Sequence, residues 1–167
     1  MTISTTLNRI RAHGPCVEGW KKLLAGLGKS VADDEPLPFS VILKINGIND
    51  TLWCCRAEPQ RSKEWRLFAV WCARQLQHLM KDDRSIAALD VAARHAFGNA
   101  TDDELAAAGD AAEAAAWAAA RDVAWAAAWG AAGDAAEAAA REAQSAKFKE
   151  MVDADDPLSV FQHGGVR

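Results

Sequence analysis

The sequence predicts an all-α protein: a compact body of short helices followed by a long alanine-rich helix or helical hairpin. Three observations point there. Apolar residues before position 100 recur at spacings of three and four, and no stretch alternates convincingly at period two. Residues 105–143 hold 23 alanines in 39 positions, and alanine is the best helix former. Large apolar side chains concentrate before Phe97, so the expected organisation is a helical body over 1–100, an Ala/Trp-rich helical arm over 101–156 and a flexible tail over 157–167.

Ile3, Leu7 and Ile10 fall at helical spacing, and His13-Gly14-Pro15 ends that first helix. Val17, Trp20, Leu23, Leu24 and Leu27 line the apolar face of a second, with Lys21 and Lys22 opposite and Gly28 placed to close it. The polar, proline-punctuated stretch KSVADDEPLP reads as a loop whose acids Asp33, Asp34 and Glu35 face water. Phe39 to Ile45, followed by Asn46-Gly47, fits either a strand entering a hairpin turn or two short helices around a glycine turn. No second alternating strand follows and Asp50 offers an N-cap, so the helices are favoured.

From Ser62 to Met80 the run puts Trp65, Phe68, Cys72, Leu76 and Leu79 on one face, widened by Leu67, Trp71 and Met80, as suits a central helix. Asp82 or Asp83 caps a further helix with Ile86, Leu89, Ala93 and Phe97 inward, closed by Gly98-Asn99. Thr101-Asp102-Asp103-Glu104 is a complete capping box. The helix it starts either runs unbroken to about Met151, roughly 75 Å at 1.5 Å per residue, or turns back at Gly130 with Asp134 capping the return.

Within the arm the block GDAAEAAA occurs at 109–116 and again at 133–140, and Trp117, Arg121, Trp125, Trp129, Gly133 and Arg141 lie on a four-residue grid. The codons of these residue types can differ in the first base alone, so the grid reads as an expanded and drifted twelve-base repeat. On a helix, Trp117, Trp125 and Trp129 span about 120° of the circumference, the width of a contact face, and Arg121 is spaced to stack on indoles. The stripe either docks on the body or meets a partner, and Asp110 and Glu113 accompany it as partner-binding candidates.

Charge separates the same two regions. Residues 1–100 carry a net +4 and residues 101–156 a net −9. That asymmetry suits docking on a charged partner, docking of the arm on its own body, or simply a solvated helix face. Nucleic acid is disfavoured as a partner: Arg56, Arg61, Lys63 and Arg66 cluster, but the chain is acidic overall and has no reading motif. Mimicry of a phosphate backbone by the acidic arm is the exception. Neither a signal-type apolar start nor a run of about 18 apolar residues is present, so a cytoplasmic protein without a membrane partner is expected.

The familiar catalytic signatures are missing: no phosphate-binding glycine loop, no H-E-x-x-H and no nucleophile elbow. Cys16, Cys54, Cys55 and Cys72 have neither metal-site nor disulfide-scaffold spacing and lie in apolar contexts, which predicts buried reduced thiols. His13, His78, His95 and His163 lack ligand spacing. No catalytic residue, cofactor or metal is therefore assigned. A Cys72–His78 pair, or Cys54 with a histidine brought near by the fold, is retained as the enzyme alternative.

The Trp/Arg alternation through alanine after DRSIAALDVAARHAFGNATDDELAAA resembles the Imm5-like immunity-protein family with tandem Ala/Trp tracts. GWKKLLAGLGK, ADDEPLPFSVILKINGINDTLWCCRAEP and EWRLFAVWCARQ are similar to small phage and prophage proteins of the same architecture, so the resemblance covers about residues 4–150. It implies a phage or mobile-element protein that inhibits a host defence or toxin component by stoichiometric binding, in anti-CRISPR or immunity fashion. It brings no catalytic residues. The alternatives are a structural or oligomerisation module that associates with itself, and an enzyme with an unrecognised Cys/His site.

Overall fold

Thr6 decides where the first helix begins. Its extended backbone (φ −135°) and its hydroxyl, which accepts from the Arg9 N–H, make it the N-cap of α1 (Leu7–Ala12). The computed structural model describes residues 2–75, 77, 80, 82–111 and 133–162. Ile3, expected inside the first helix, precedes it in extended chain: β1 (Ser4–Thr5) pairs antiparallel with β2 (Leu37–Pro38), Ser4 opposite Pro38 and Thr5 opposite Leu37. The Ile3 N–H donates to the Val152 carbonyl at 2.7 Å and its carbonyl accepts from Phe39 N–H, so tertiary bonds outcompete the helical spacing.

Pairs of short helices follow, as the sequence predicts. α2 (Val17–Leu27) ends at Gly28 in the left-handed region (φ +66°), with the Lys29 N–H reaching back to the Leu24 carbonyl in a Schellman closure. Its Leu23 is buried, but Val17, expected on the apolar face, stands 63% exposed in the first turn. α3 (Phe39–Asn46) and α4 (Ile48–Cys54) flank Gly47 at φ +85°, a conformation that favours glycine. Gly47 itself stands at the N-cap of α4, and Asp50, expected there, lies inside the first turn. The acids of the 30–38 loop do not all face water alone, since Lys29 Nζ bonds Asp33 and Glu35, each at 2.6 Å.

The described chain forms two compact units, Met1–Ser62 with Ala140–Arg167, and Lys63–Ala139. The expected boundary at 100/101 falls inside the second unit. In the first, Ile3, Leu7, Ile10, Phe39 and Ile42 are buried together with Phe148, Met151 and Val152 from the end of α8 (Gly133–Asp153), and the Phe39 and Phe148 rings meet at 6.3 Å. Glu58 is buried there too, its carboxylate taking Arg9 Nη1 at 2.7 Å and bonding Gln60. Where a tail was expected from 157, Pro157 is buried and Ser159–Gln162 form the short helix α9.

The second unit holds α5 (Ser62–Gln75) beyond its first residue, α6 (Asp83–Ala96) and a helical run over 102–111, here α7. The buried side of α5 is formed by Glu64, Leu67, Phe68 and Val70, a face rotated from the one that Trp65, Phe68 and Cys72 define. Asp82 caps α6, accepting from the Arg84 N–H at 2.9 Å, and Gly98 (φ +78°) and Asn99 close it by a second Schellman motif. Phe97, expected inward, is 36% exposed at the C-cap. Residues 112–132 lie outside the described ones, and with them the choice between one long helix and a hairpin. Among the described residues no helix is long and apolar enough to cross a membrane.

Candidate functional site

The arm's helical start is built as its sequence dictates. The Glu104 N–H donates to the Thr101 hydroxyl at 3.1 Å, while Glu104 Oε2 accepts from the Thr101 N–H at 2.7 Å. That N–H bond holds the Glu104 carboxyl below its ordinary value. Asp102, in the first turn, accepts from His95 Nε2 at 2.6 Å, and His95 Nδ1 in turn bonds Arg66. A guanidinium only donates, so Nδ1 is the acceptor and the ring proton sits on Nε2, facing Asp102. His95 thus ties α5, α6 and the start of α7 together.

Of the partner-binding candidates, Asp110 is exposed on α7, while Glu113, Trp117, Arg121, Trp125 and Trp129 lie outside the described residues. Helix flanks that stretch on both sides. Ala106, Ala107, Gly109 and Asp110 before it, and Ala138 to Ala143 after it, are exposed, whereas Phe148, Met151 and Val152 further along α8 are wholly buried. One helix therefore carries an alanine surface at one end and a core anchor at the other.

The thiols divide. Cys54 and Cys55 are pushed up to about 12 by burial, and burial also raises Cys72, so these three are poor nucleophiles at neutral pH. The expectation of four buried thiols holds for Cys54 alone: Cys55 and Cys72 are half-buried, and Cys16 is exposed at the N-cap of α2, its sulfur accepting from the Gly19 N–H at 3.4 Å. None of the four forms a disulfide. His78, the partner considered for Cys72, and His163 lie outside the described residues, and His13 is exposed in the turn after α1. Among the described residues no group of three or more His, Cys, Asp or Glu is placed to hold a metal ion.

Sequence reasoning missed a cavity of about 170 Å³ in the first unit, where α2 meets the α3–α4 pair. Trp20 and Trp53 supply indole walls, Ile10 and Leu23 aliphatic ones, and Asp50 and Asn46 the polar side. Asn46 Nδ2 donates to the Gly19 carbonyl at 2.9 Å and to Asp50 Oδ2 at 2.8 Å, which joins the helices and orients the carboxylate. Asn46 Oδ1 is buried without a hydrogen-bond partner among the described residues. A Cβ on Gly19 would come within 2.9 Å of Asp50 Oδ2, so the glycine is what lets α4 approach. A glycine inside the amphipathic pattern of α2 was the available signal, since it costs about 1 kcal/mol relative to alanine and asks for a packing reason.

No family model, curated protein or solved structure matches this chain. The described residues that bear on function are the exposed small side chains on the helical runs either side of residues 112–132, the helix that leads from the second run into the core, and a cavity with indole walls and one carboxylate.

Proposed function

We propose that the protein acts by stoichiometric binding of another protein, through the alanine/tryptophan tract, and not by catalysis. The observation that carries the reading is the division of α8: Phe148, Met151 and Val152 are wholly buried, whereas residues 138–143 stand exposed and bear almost nothing but alanine and charge. A helix rooted this way holds its exposed end in place, and small side chains let a partner's backbone come close. Trp117, Trp125 and Trp129 supply the large apolar area that alanine lacks, and buried aromatic anchors commonly dominate contact energetics. In keeping with the family resemblance, the partner is a component of a host defence system or of a toxin, which the protein covers and inhibits.

The test uses the full chain and its Trp117→Ala/Trp125→Ala/Trp129→Ala variant, each melted and each used to capture partners from host lysate. Alanine in place of tryptophan slightly favours helix, so an effect reports lost contact. The reading expects one partner held in fixed ratio by the wild type, its loss in the triple variant, and an unchanged melting temperature; Trp125→Ala alone costs about 2 kcal/mol of affinity. Light scattering that shows concentration-dependent association abolished by the same variant assigns the stripe to a second copy instead. A lowered melting temperature with capture intact places the stripe inside the molecule and overturns the proposal.

A further inference from the structure

We propose that the cavity between α2 and the α3–α4 pair binds a small organic ammonium whose nitrogen is clad in methyl groups, as in choline or a trimethylated lysine side chain.

The charge of the walls selects the sign. Asp50 is the charged residue among those lining the cavity, and no basic side chain lines it. Among the described residues no cation pairs with Asp50, whose Oδ2 is engaged by the neutral amide of Asn46. A carboxylate beside mostly apolar walls has lost part of its hydration without gaining a counter-charge, and a cation restores the balance. Gly19 and Asn46 fix where that carboxylate stands, the first by leaving room and the second by donating from Nδ2 to both the Gly19 carbonyl of α2 and the Asp50 carboxylate of α4.

The indoles select the kind of cation. Ring faces of tryptophan attract positive charge, most strongly where water is excluded. Trp53 already does so: the Arg56 guanidinium lies 4.3 Å from its ring centroid, and Arg56 is not a wall of the cavity. Trp20 brings a second indole to the same space. A primary ammonium brings three N–H groups that each need an acceptor, and most of the lining is apolar. Methyl groups need none, and their burial against Ile10 and Leu23 is favourable. A volume of about 170 Å³ fits one small head group and not a drug-sized molecule.

The experiment uses the full-length protein. Tetramethylammonium, choline and trimethyllysine in a short peptide are titrated while the indole N–H resonances of Trp20 and Trp53 are followed by NMR, with 3,3-dimethylbutanol as the uncharged counterpart of choline. The proposal expects saturable shifts at both indoles and binding of the uncharged alcohol weaker by about tenfold or more. Asp50→Asn, which keeps an oxygen for Asn46, lowers affinity for choline by a similar factor and leaves the alcohol unaffected. Choline binding tighter than the peptide indicates a free small molecule as the source, and the reverse a partner's side chain. Equal binding of choline and the alcohol, or no shift at either indole with millimolar probe, overturns the proposal. The wild-type comparison decides it even where Asp50→Asn fails to fold.

Discussion

The first unit is held by packing between distant parts of the chain, and in the second the ends of α6 and the start of α7 are defined by local polar chemistry. In the first, Phe39 and Ile42 are wholly buried with Phe148, Met151 and Val152, more than a hundred residues away, and the Ile3–Val152 backbone bond joins the two ends. In the second, Ile86, Leu89 and Ala93 of α6 are only half-buried and Phe97 is exposed, yet both ends of that helix and the start of α7 are fully capped. The difference teaches where a substitution does harm: at the large side chains of α3 and α8 in the first unit, and at the capping oxygens of α6 and α7 in the second, whose buried Leu67, Phe68 and Val70 lie on α5.

That contrast sets the scale of the expected effects. Phe148→Ala empties a site with no exposure and loses the contact with Phe39, so it lowers stability by about 3–5 kcal/mol, measured by denaturant unfolding. A loss under about 1 kcal/mol shows that the core of the first unit does not depend on α8. Thr101→Ala removes a cap whose side chain is exposed, and costs about 1 kcal/mol by the same measurement. A cost equal to that of Phe148→Ala erases the distinction between the units.

The smallest effect is one of pH. The Arg84 side chain and N–H hold the Asp82 carboxyl down to about 2 from an ordinary 3.8. A carboxyl lowered in the folded state stabilises above its unfolded value, and that contribution is lost as pH falls from about 4 toward about 2. Followed by circular dichroism across that range, Asp82→Asn shows a shallower loss of helix than the wild type. Equal slopes show that the cap adds nothing through its charge.

What was legible in the sequence follows the same division. Gly28, Asp82, Gly98 and the Thr101–Glu104 box are local devices, satisfied by atoms within a few residues, and each stands where the sequence puts it, Asp82 being the one of the two candidate aspartates that caps α6. Ile3 stands outside α1 because distant partners, Val152 and Phe39, hold its backbone, whereas Asp50 falls inside the first turn of α4 because the turn at Gly47 starts that helix earlier. Phe148 and Met151 sat within the expected arm, and nothing near them in sequence marks them as core. The cavity was hidden for the same reason, since its walls come from helices that meet only in the fold, with Gly19 as its one local trace.

The most direct measurement compares the full chain with a chain ending at Ala139 by amide hydrogen exchange at Phe39 and Ile42, alongside a thermal melt. If α8 completes the core of the first unit, the shortened chain loses both the protection of these amides and the cooperative transition. Retention of full protection and an unchanged melt would contradict the account, because the residues that root the arm would then hold nothing.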